Sequence, residues 1–443
     1  MGPRATEGQL QAEVICAASL SQRMHPDDLE LMEQVIAWGL MPEFPEIGRS
    51  AWVKLIHPFE APCGQGTQVI RSLKLKGVGL RDHRGGMHYP SNTVYRRPDA
   101  HLGIDEDGVF CEVWSAPAPM GALALNRAIV EYTTARELCA VGPISEVPLF
   151  VYRYTKLEGF RDDSGSVSDL AVLVAGLPTD SPVRADNLVH YAKQSPSVQA
   201  ALRGWARAQT GDGEFDWAGA QLALWGDYGK RLREFHGCGF YRHNAHASNL
   251  GLGAHGIFLV DLDSTRYKLD CPPRTRALQA VRDAATGVFH VIADTVRSGE
   301  LRSVEHAMSI HRMLVNAFLR SYFPEVPTRA FEDLEADTGL LTSTLWEKWD
   351  RGTFRPSGWA QGISGKVGVE NPAKIEYQQF MTERYAYMTQ GLDIPALVCK
   401  LMPGLARISS LSTNAYEVGG ANSVEVSEAA DEFLRRRQGA NHP

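Results

Sequence analysis

No run of 18 or more apolar residues occurs in this sequence, so a membrane-spanning helix is excluded. It has no C-x-x-C pair. Its 7 cysteines, at positions 16, 63, 111, 139, 238, 271 and 399, are odd in number and scattered, which points to reduced thiols and away from a disulfide frame or zinc site. Lysine is scarce, 11 against 34 arginines, and the formal charge is −7, so a dedicated nucleic-acid binder is not expected. Internal repeats and long low-complexity stretches are absent. The first residues, MGPRATEGQLQAE, lack the apolar core of a secretory signal, and the expected location is cytoplasmic. They fit M-G-x-x-x-T only with Pro at the third position and no basic cluster nearby, so lipid or membrane attachment is not expected.

What remains is an ordinary globular composition, 44% apolar and 22% charged over 443 residues, enough for two or three domains or one bilobed unit. Apolar spacing predicts a helix from Pro26 to Leu40 on Leu29, Met32, Val35, Ile36 and Leu40. Ala51–Phe59 and Thr67–Lys76 alternate as strands, and Val109–Trp114 and Leu149–Tyr154 read the same way. The Gly-, Pro- and Asp-rich stretch from Leu80 to Gly108 reads as a loop insertion, and Arg161–Asp169 as a polar turn region. A helix is expected over Met120–Ala140, with Leu125, Ile129 and Tyr132 on one stripe. From about residue 185 helices dominate: Gln221–Phe235, Arg276–Val296 and Ser303–Tyr322, interrupted by a strand–loop–strand at Leu250–Asp263. Beyond Ser409 the chain is polar and expected to be mobile, apart from a last helix near Val426–Arg437.

The segment Gly239–Thr265 concentrates polar chemistry. Arg242, His243, Asn244, His246, Ser248 and Asn249 precede a short apolar run, Ile257–Val260, which delivers Asp261 and Asp263. Asn249 and Asp261 lie across a predicted hairpin, where two hard oxygen ligands suit magnesium completed by phosphate oxygens. Each also has a plainer reading: Asp261 and Asp263 as turn caps, Asn249 as a left-handed turn residue, His246 as a loop-holding hydrogen bonder.

His246-Ala247-Ser248-Asn249 followed by Phe258-Leu259-Val260-Asp261 resembles the catalytic and metal-binding loops of the protein-kinase-like fold. Upstream, Leu73-Lys74-Leu75-Lys76-Gly77-Val78-Gly79 is similar to the L-Q-L-K-G-x-G stretch of the selenoprotein O family, protein adenylyltransferases of that fold. Gly121–Tyr132 (GALALNRAIVEY) resembles a helix of the same family. The ordered set covers roughly residues 65–265. It implies an α+β, bilobed fold with a strand-rich N-lobe over 46–160 and a helical C-lobe over 161–410, flanked by a helical extension (1–45) and a polar tail (411–443). It implies that Lys76 and Glu131 position the phosphates of ATP, with Gly77 and Gly79 beside them, and that Asn249 and Asp261 hold Mg2+.

The sequence departs from the pattern at the base. Asn244 and Ser248 stand where kinases and selenoprotein O proteins carry carboxylates. His243 or His246 are the candidate substitutes, since imidazole titrates near neutrality. An acceptor needing no strong base, or nucleotide binding without catalysis, would also fit. The expected activity is adenylyl transfer to a protein or small-molecule acceptor. The rivals are a small-molecule kinase and a silent pseudokinase scaffold. Gly64-Gln65-Gly66-Thr67 could cover phosphates or simply turn, and Arg153 and Arg161 could reach phosphate, with a surface role the default among 34 arginines.

Overall fold

The computed structural model describes residues 10–45, 48–64, 66–81, 85–90, 95–96, 100–105, 107–114, 118–119, 121–161, 165–211, 213–267, 272–349, 392–412 and 423–440. The fold is mixed, with one antiparallel sheet in the first part of the chain and mainly helices after it. No described helix is long and apolar enough to cross a membrane.

The sheet has β1 (Ala12–Ala17), β2 (Gly48–Cys63), β3 (Gly66–Arg81), β4 (Val147–Tyr154) and β5 (Leu170–Leu177) in the order β1–β4–β5–β3–β2, every pairing antiparallel. Strand β1 lies in the stretch expected to be a helical extension. It gains an edge position by pairing with β4, while α1 (Pro26–Ile36) is the expected helix, shortened at its end. Strand β5 was not foreseen. Its residues LAVLVAGL are buried throughout, because the strand is central and covered on both faces, so it has no polar alternation to mark it. The Leu80–Gly108 region is more than a loop: Met87–His88 pairs with β3, and Ala100–Ile104 pairs with Phe110–Trp114. Arg161 and Val167 flank a small hairpin, in keeping with the turn expected there.

Period-two alternation in β3 sends Leu73 and Leu75 into the apolar core with α1 and β4, and Lys74 and Lys76 to the opposite face. Two bulges shape the pair β2–β3. One lies between Lys54 and Phe59. At the other, four residues of β3 around Gly77 and Gly79 separate Lys76 from Arg81, while the partner strand spans only Gly48 to Ser50. Gly77 has φ of 101°, and a Cβ there would stand 2.4 Å from the Ala171 carbonyl, because β5 exchanges β3 for the short strand Leu123–Ala124 at this point. Gly79 (φ 142°) makes room for the Trp38 indole, whose Nε1 donates to the Val78 carbonyl at 2.6 Å.

Helix α2 (Leu125–Val141) starts later than expected because Leu123–Ala124 is spent on the sheet. Its buried face is Ala128, Glu131, Tyr132, Ala135 and Leu138, while Ile129, expected on the stripe, is 37% exposed. The β2–β3 turn docks on the far end of this helix, Gly64 N donating to the Cys139 carbonyl at 2.8 Å.

After β5 come α3 (Pro196–Thr210), α4 (Trp217–Gly237), the hairpin β6 (Leu250–Gly253) and β7 (Gly256–Leu259), α5 (Pro273–Val296), α6 (Val304–Tyr322), α7 (Glu335–Trp349), α8 (Ile394–Ser409) and α9 (Ser423–Ala440). Leu224, Trp225, Tyr228, Leu232 and Phe235 of α4 are fully buried, as their spacing predicts, and so are Leu314 and Phe318 of α6, whereas Met313 is exposed. In the expected polar tail, α9 buries Val426, Ala430 and Phe433 in the same core as α8; residues 413–422 lie outside the described part. The described cysteines are free, and Cys271 lies outside the described residues.

Candidate active site

Lys76 Nζ meets Glu131 Oε2 of α2 at 2.6 Å and also binds the Asp261 carboxylate; Asp263 Oδ2 lies at 4.0 Å. The lysine comes from β3, the glutamate from the inner face of α2, and Asp261 from the residue pair just past β7. Three separate elements therefore converge on one ammonium. Asp261 adopts a left-handed conformation (φ 62°, ψ 60°), one that costs a non-glycine residue on the order of 1 kcal/mol and turns its side chain away from the strand path.

Two residues that sequence reasoning passed over complete the cluster. Lys74, two positions before Lys76 and on the same face of β3, is ion-paired with Glu146 and stands 3.9 Å from Glu131 Oε1. Glu146 is fully buried and its Oε1 accepts the Asp261 amide at 3.1 Å, so it fixes the backbone that aims Asp261. The Leu-Lys-Leu-Lys alternation was the available signal for Lys74. Glu146, next to a Pro-rich strand start, carried none. Arg127 Nη1 approaches Asp263 at 3.9 Å.

The electrostatics are uneven. Burial alone would raise the Asp261 carboxyl, but Lys76 and Lys74 outweigh it and hold the group well below the carboxylate range. Burial would likewise lower Lys76, and Asp261 and Glu131 reverse that, keeping it charged. Glu131 sits deepest. Burial pushes its carboxyl up to about 7, since Lys76 is shared with Asp261 and Glu146 is close by. Glu131 Oε1 is buried and accepts no hydrogen bond among the described residues.

The β6–β7 hairpin sets the backbone of Asn249 beside Val260, the residue before Asp261. Leu250 pairs with Leu259, and Val260 N donates to the Asn249 carbonyl at 3.1 Å. The Asn249 side chain donates to the Asn244 carbonyl at 3.2 Å, tying it to the loop where Asn244 itself is exposed. The histidines are placed otherwise. His243 is 1% exposed, its Nδ1 2.9 Å from the Tyr228 hydroxyl, and burial pushes it down to about 4, so it is neutral. Its Nε2 is buried without a partner among the described residues. His246 Nδ1 accepts the Ser248 amide at 3.1 Å, and its Nε2 faces Asp294 (3.6 Å) and Arg297 (3.4 Å). Both rings thus have packing partners inside the fold. Gly77 and Gly79 have the packing reasons given above.

The loop is hung from α5. The Asp283 Oδ2 atom accepts Arg242 N at 2.7 Å, His243 N at 3.3 Å and a His236 bond at 3.0 Å, and Asp294 accepts Ala247 N at 2.9 Å. Both carboxylates are fully buried and lie eleven residues apart, three helical turns, hence on one face of α5. Beside the cluster lies a cleft of about 190 Å³ whose walls include Arg49, Trp52, Lys74, Leu177, Arg184 and Val260. It runs between the β2–β3 ribbon, the segment leaving β5, and the β6–β7 hairpin.

No family model matches this sequence, and no curated protein does. Among solved structures, it is similar to a Stt7 homologue from Micromonas algae soaked with ATP, at 12% identity and a TM-score of 0.26, covering 74% of this chain and 93% of that one. It is also similar to the LegK7 effector kinase of Legionella pneumophila, at 13% identity and a TM-score of 0.23, covering 59% and 62% respectively. The second is a kinase by its printed name. At scores this low neither carries an argument about this chain.

Proposed function

We propose that this protein is an ATP- and Mg2+-dependent transferase of the protein-kinase-like fold that moves the adenylyl group of ATP to a protein or small-molecule acceptor. The observation that carries the reading is the buried Lys76–Glu131–Asp261 cluster, assembled from a strand, a helix and a hairpin end beside a cleft. A strand lysine held by a helix carboxylate is a means of presenting one ammonium to phosphate oxygens without its swinging away.

The donor set fits a magnesium ion. All its members are hard oxygens, Glu131, Asp261 and Asp263 offer ligand atoms within 4.8 Å of one another, and the unbonded Glu131 Oε1 leaves spare accepting capacity. Asp261 and Asn249 would hold the ion, which would supply positive charge beside the phosphates. Lys76, relieved of Asp261, would then reach the phosphates, and Lys74, Arg49 and Arg184 would give the cleft its anion-binding wall. Asn244, exposed at the base position, would orient the acceptor hydroxyl by hydrogen bonding. With no carboxylate there, the reaction rests on positioning and electrostatics.

The test incubates the protein with doubly labelled ATP and magnesium. Release of pyrophosphate with a mass gain of one AMP on an acceptor supports adenylyl transfer. Release of ADP makes the protein a kinase. A second reading, a silent nucleotide-binding scaffold, is favoured by the neutral, buried His243. It predicts a thermal shift with ATP and magnesium but neither product.

A further inference from the structure

A second set of metal-ligand side chains sits at the start of α1 and shares no residue with the cleft or the lysine cluster. His25 precedes α1, Asp27 lies in its first turn, and His57 sits on the bulge of β2. The three are brought together by a buried clamp. Asp28, fully buried, accepts Ile56 N at 2.7 Å and His57 N at 3.0 Å, and so holds the bulge against the helix start. His57 takes part in that clamp only through its backbone, which leaves its ring free to face His25.

The ring centroids of His25 and His57 are 3.9 Å apart. Asp27 Oδ2 lies 3.5 Å from His25 Nδ1 and 3.8 Å from His57 Nε2, and the three ligand atoms all fall within 4.8 Å of one another. Two imidazolium rings so close would repel, whereas two neutral imidazoles and a carboxylate form a donor set for a borderline divalent metal. In a tetrahedral zinc site with bonds of about 2.0–2.1 Å, neighbouring ligand atoms stand about 3.3–3.4 Å apart, so Asp27 is already within about half an ångström of that spacing to both rings, and the two rings must swing apart by about 1 Å to point at one ion. The side chains are half-exposed and can make these movements. The one bond given up is the long contact from Asp27 N to His25 Nδ1, 3.3 Å. The positive end of the helix dipole works against a cation here, and the Asp27 charge offsets it.

We propose that His25, Asp27 and His57 bind a borderline divalent transition metal, Zn2+ foremost, with water in the fourth position, and that the metal ties the start of α1 to the β2 bulge. The site is independent of the transferase reading. The test titrates the metal-free full chain with Zn2+ by calorimetry, and with Co2+ followed by visible absorption. A Zn2+ binding event is expected that is weakened more than about ten-fold in His57→Ala and in His25→Ala. The cobalt spectrum should be tetrahedral without thiolate charge transfer. Zn2+ affinity in His57→Ala equal to that of the unaltered chain, a thiolate band, or no binding by the unaltered chain would each overturn the proposal.

Discussion

Lys76–Glu131 in the sheet half and His236–Asp283 in the helical half are both buried acid–base pairs, 2.6 and 3.0 Å apart. Their surroundings differ. Asp283 is saturated: one oxygen takes two loop amides and His236, the other takes Arg282 at 2.9 Å. Burial alone would raise its carboxyl, and the bonds from His236 and Arg282 instead keep it below its ordinary range. Glu131 has one oxygen on Lys76 and the other unbonded, and its carboxyl rises to about 7. A buried carboxylate with every lone pair taken by fixed donors is a strut. One left with unspent capacity, sharing its cation with the partly exposed Asp261, is poised to accept something more.

This contrast can be broken by substitution. Asp261→Ala should reduce any ATP-dependent transfer by about two orders of magnitude or more while the protein still unfolds in one cooperative step; retained turnover would remove the metal assignment. Asp283→Ala should act the other way round, costing about 3–5 kcal/mol in urea unfolding because it strands two amides and an imidazole in the core. A loss below about 1 kcal/mol would mean the carboxylate is no strut.

Acid titration sharpens the comparison. His311 bridges Thr295 and Thr342 at 2.8 and 2.9 Å, and burial pushes it down to about 3. Its folded form takes up a proton less readily than the unfolded chain, so the stability it contributes is present above the ordinary histidine range and lost as pH falls from there toward about 3. His311→Gln should flatten that part of the stability curve. Glu131 has the opposite sign: its raised folded value favours the protonated carboxyl, so its contribution is present below its ordinary range near 4.5 and lost as pH rises toward about 7. Glu131→Gln should remove this smaller slope, and an unaltered slope would show that Glu131 is ionised throughout.

Sequence periodicity located α1, α2, α4 and α6, which each have an apolar face and a wetter one, whereas α5 and the β6–β7 hairpin, buried almost throughout, showed as a long stretch without breakers and a short apolar run. It missed β5, which is apolar on both faces, and β1, an edge strand too exposed to carry a pattern. The resemblance, not periodicity, singled out Lys76 and Glu131, which meet at 2.6 Å, and Asn249 and Asp261; nothing pointed to Glu146, whose importance depends on an amide 115 residues away.

The order of residues alone decided that Lys74 and Lys76 share a face of one strand, since side chains alternate at every step of an extended chain. It decided in the same way that Asp283 and Asp294 share a face of α5. Which carboxylates meet those lysines, that Asp261 turns left-handed to reach them, and that His243 is sealed and neutral were decided only by packing. Charge pairing and desolvation depend on neighbours distant in the chain, and no local pattern encodes a distance of that kind.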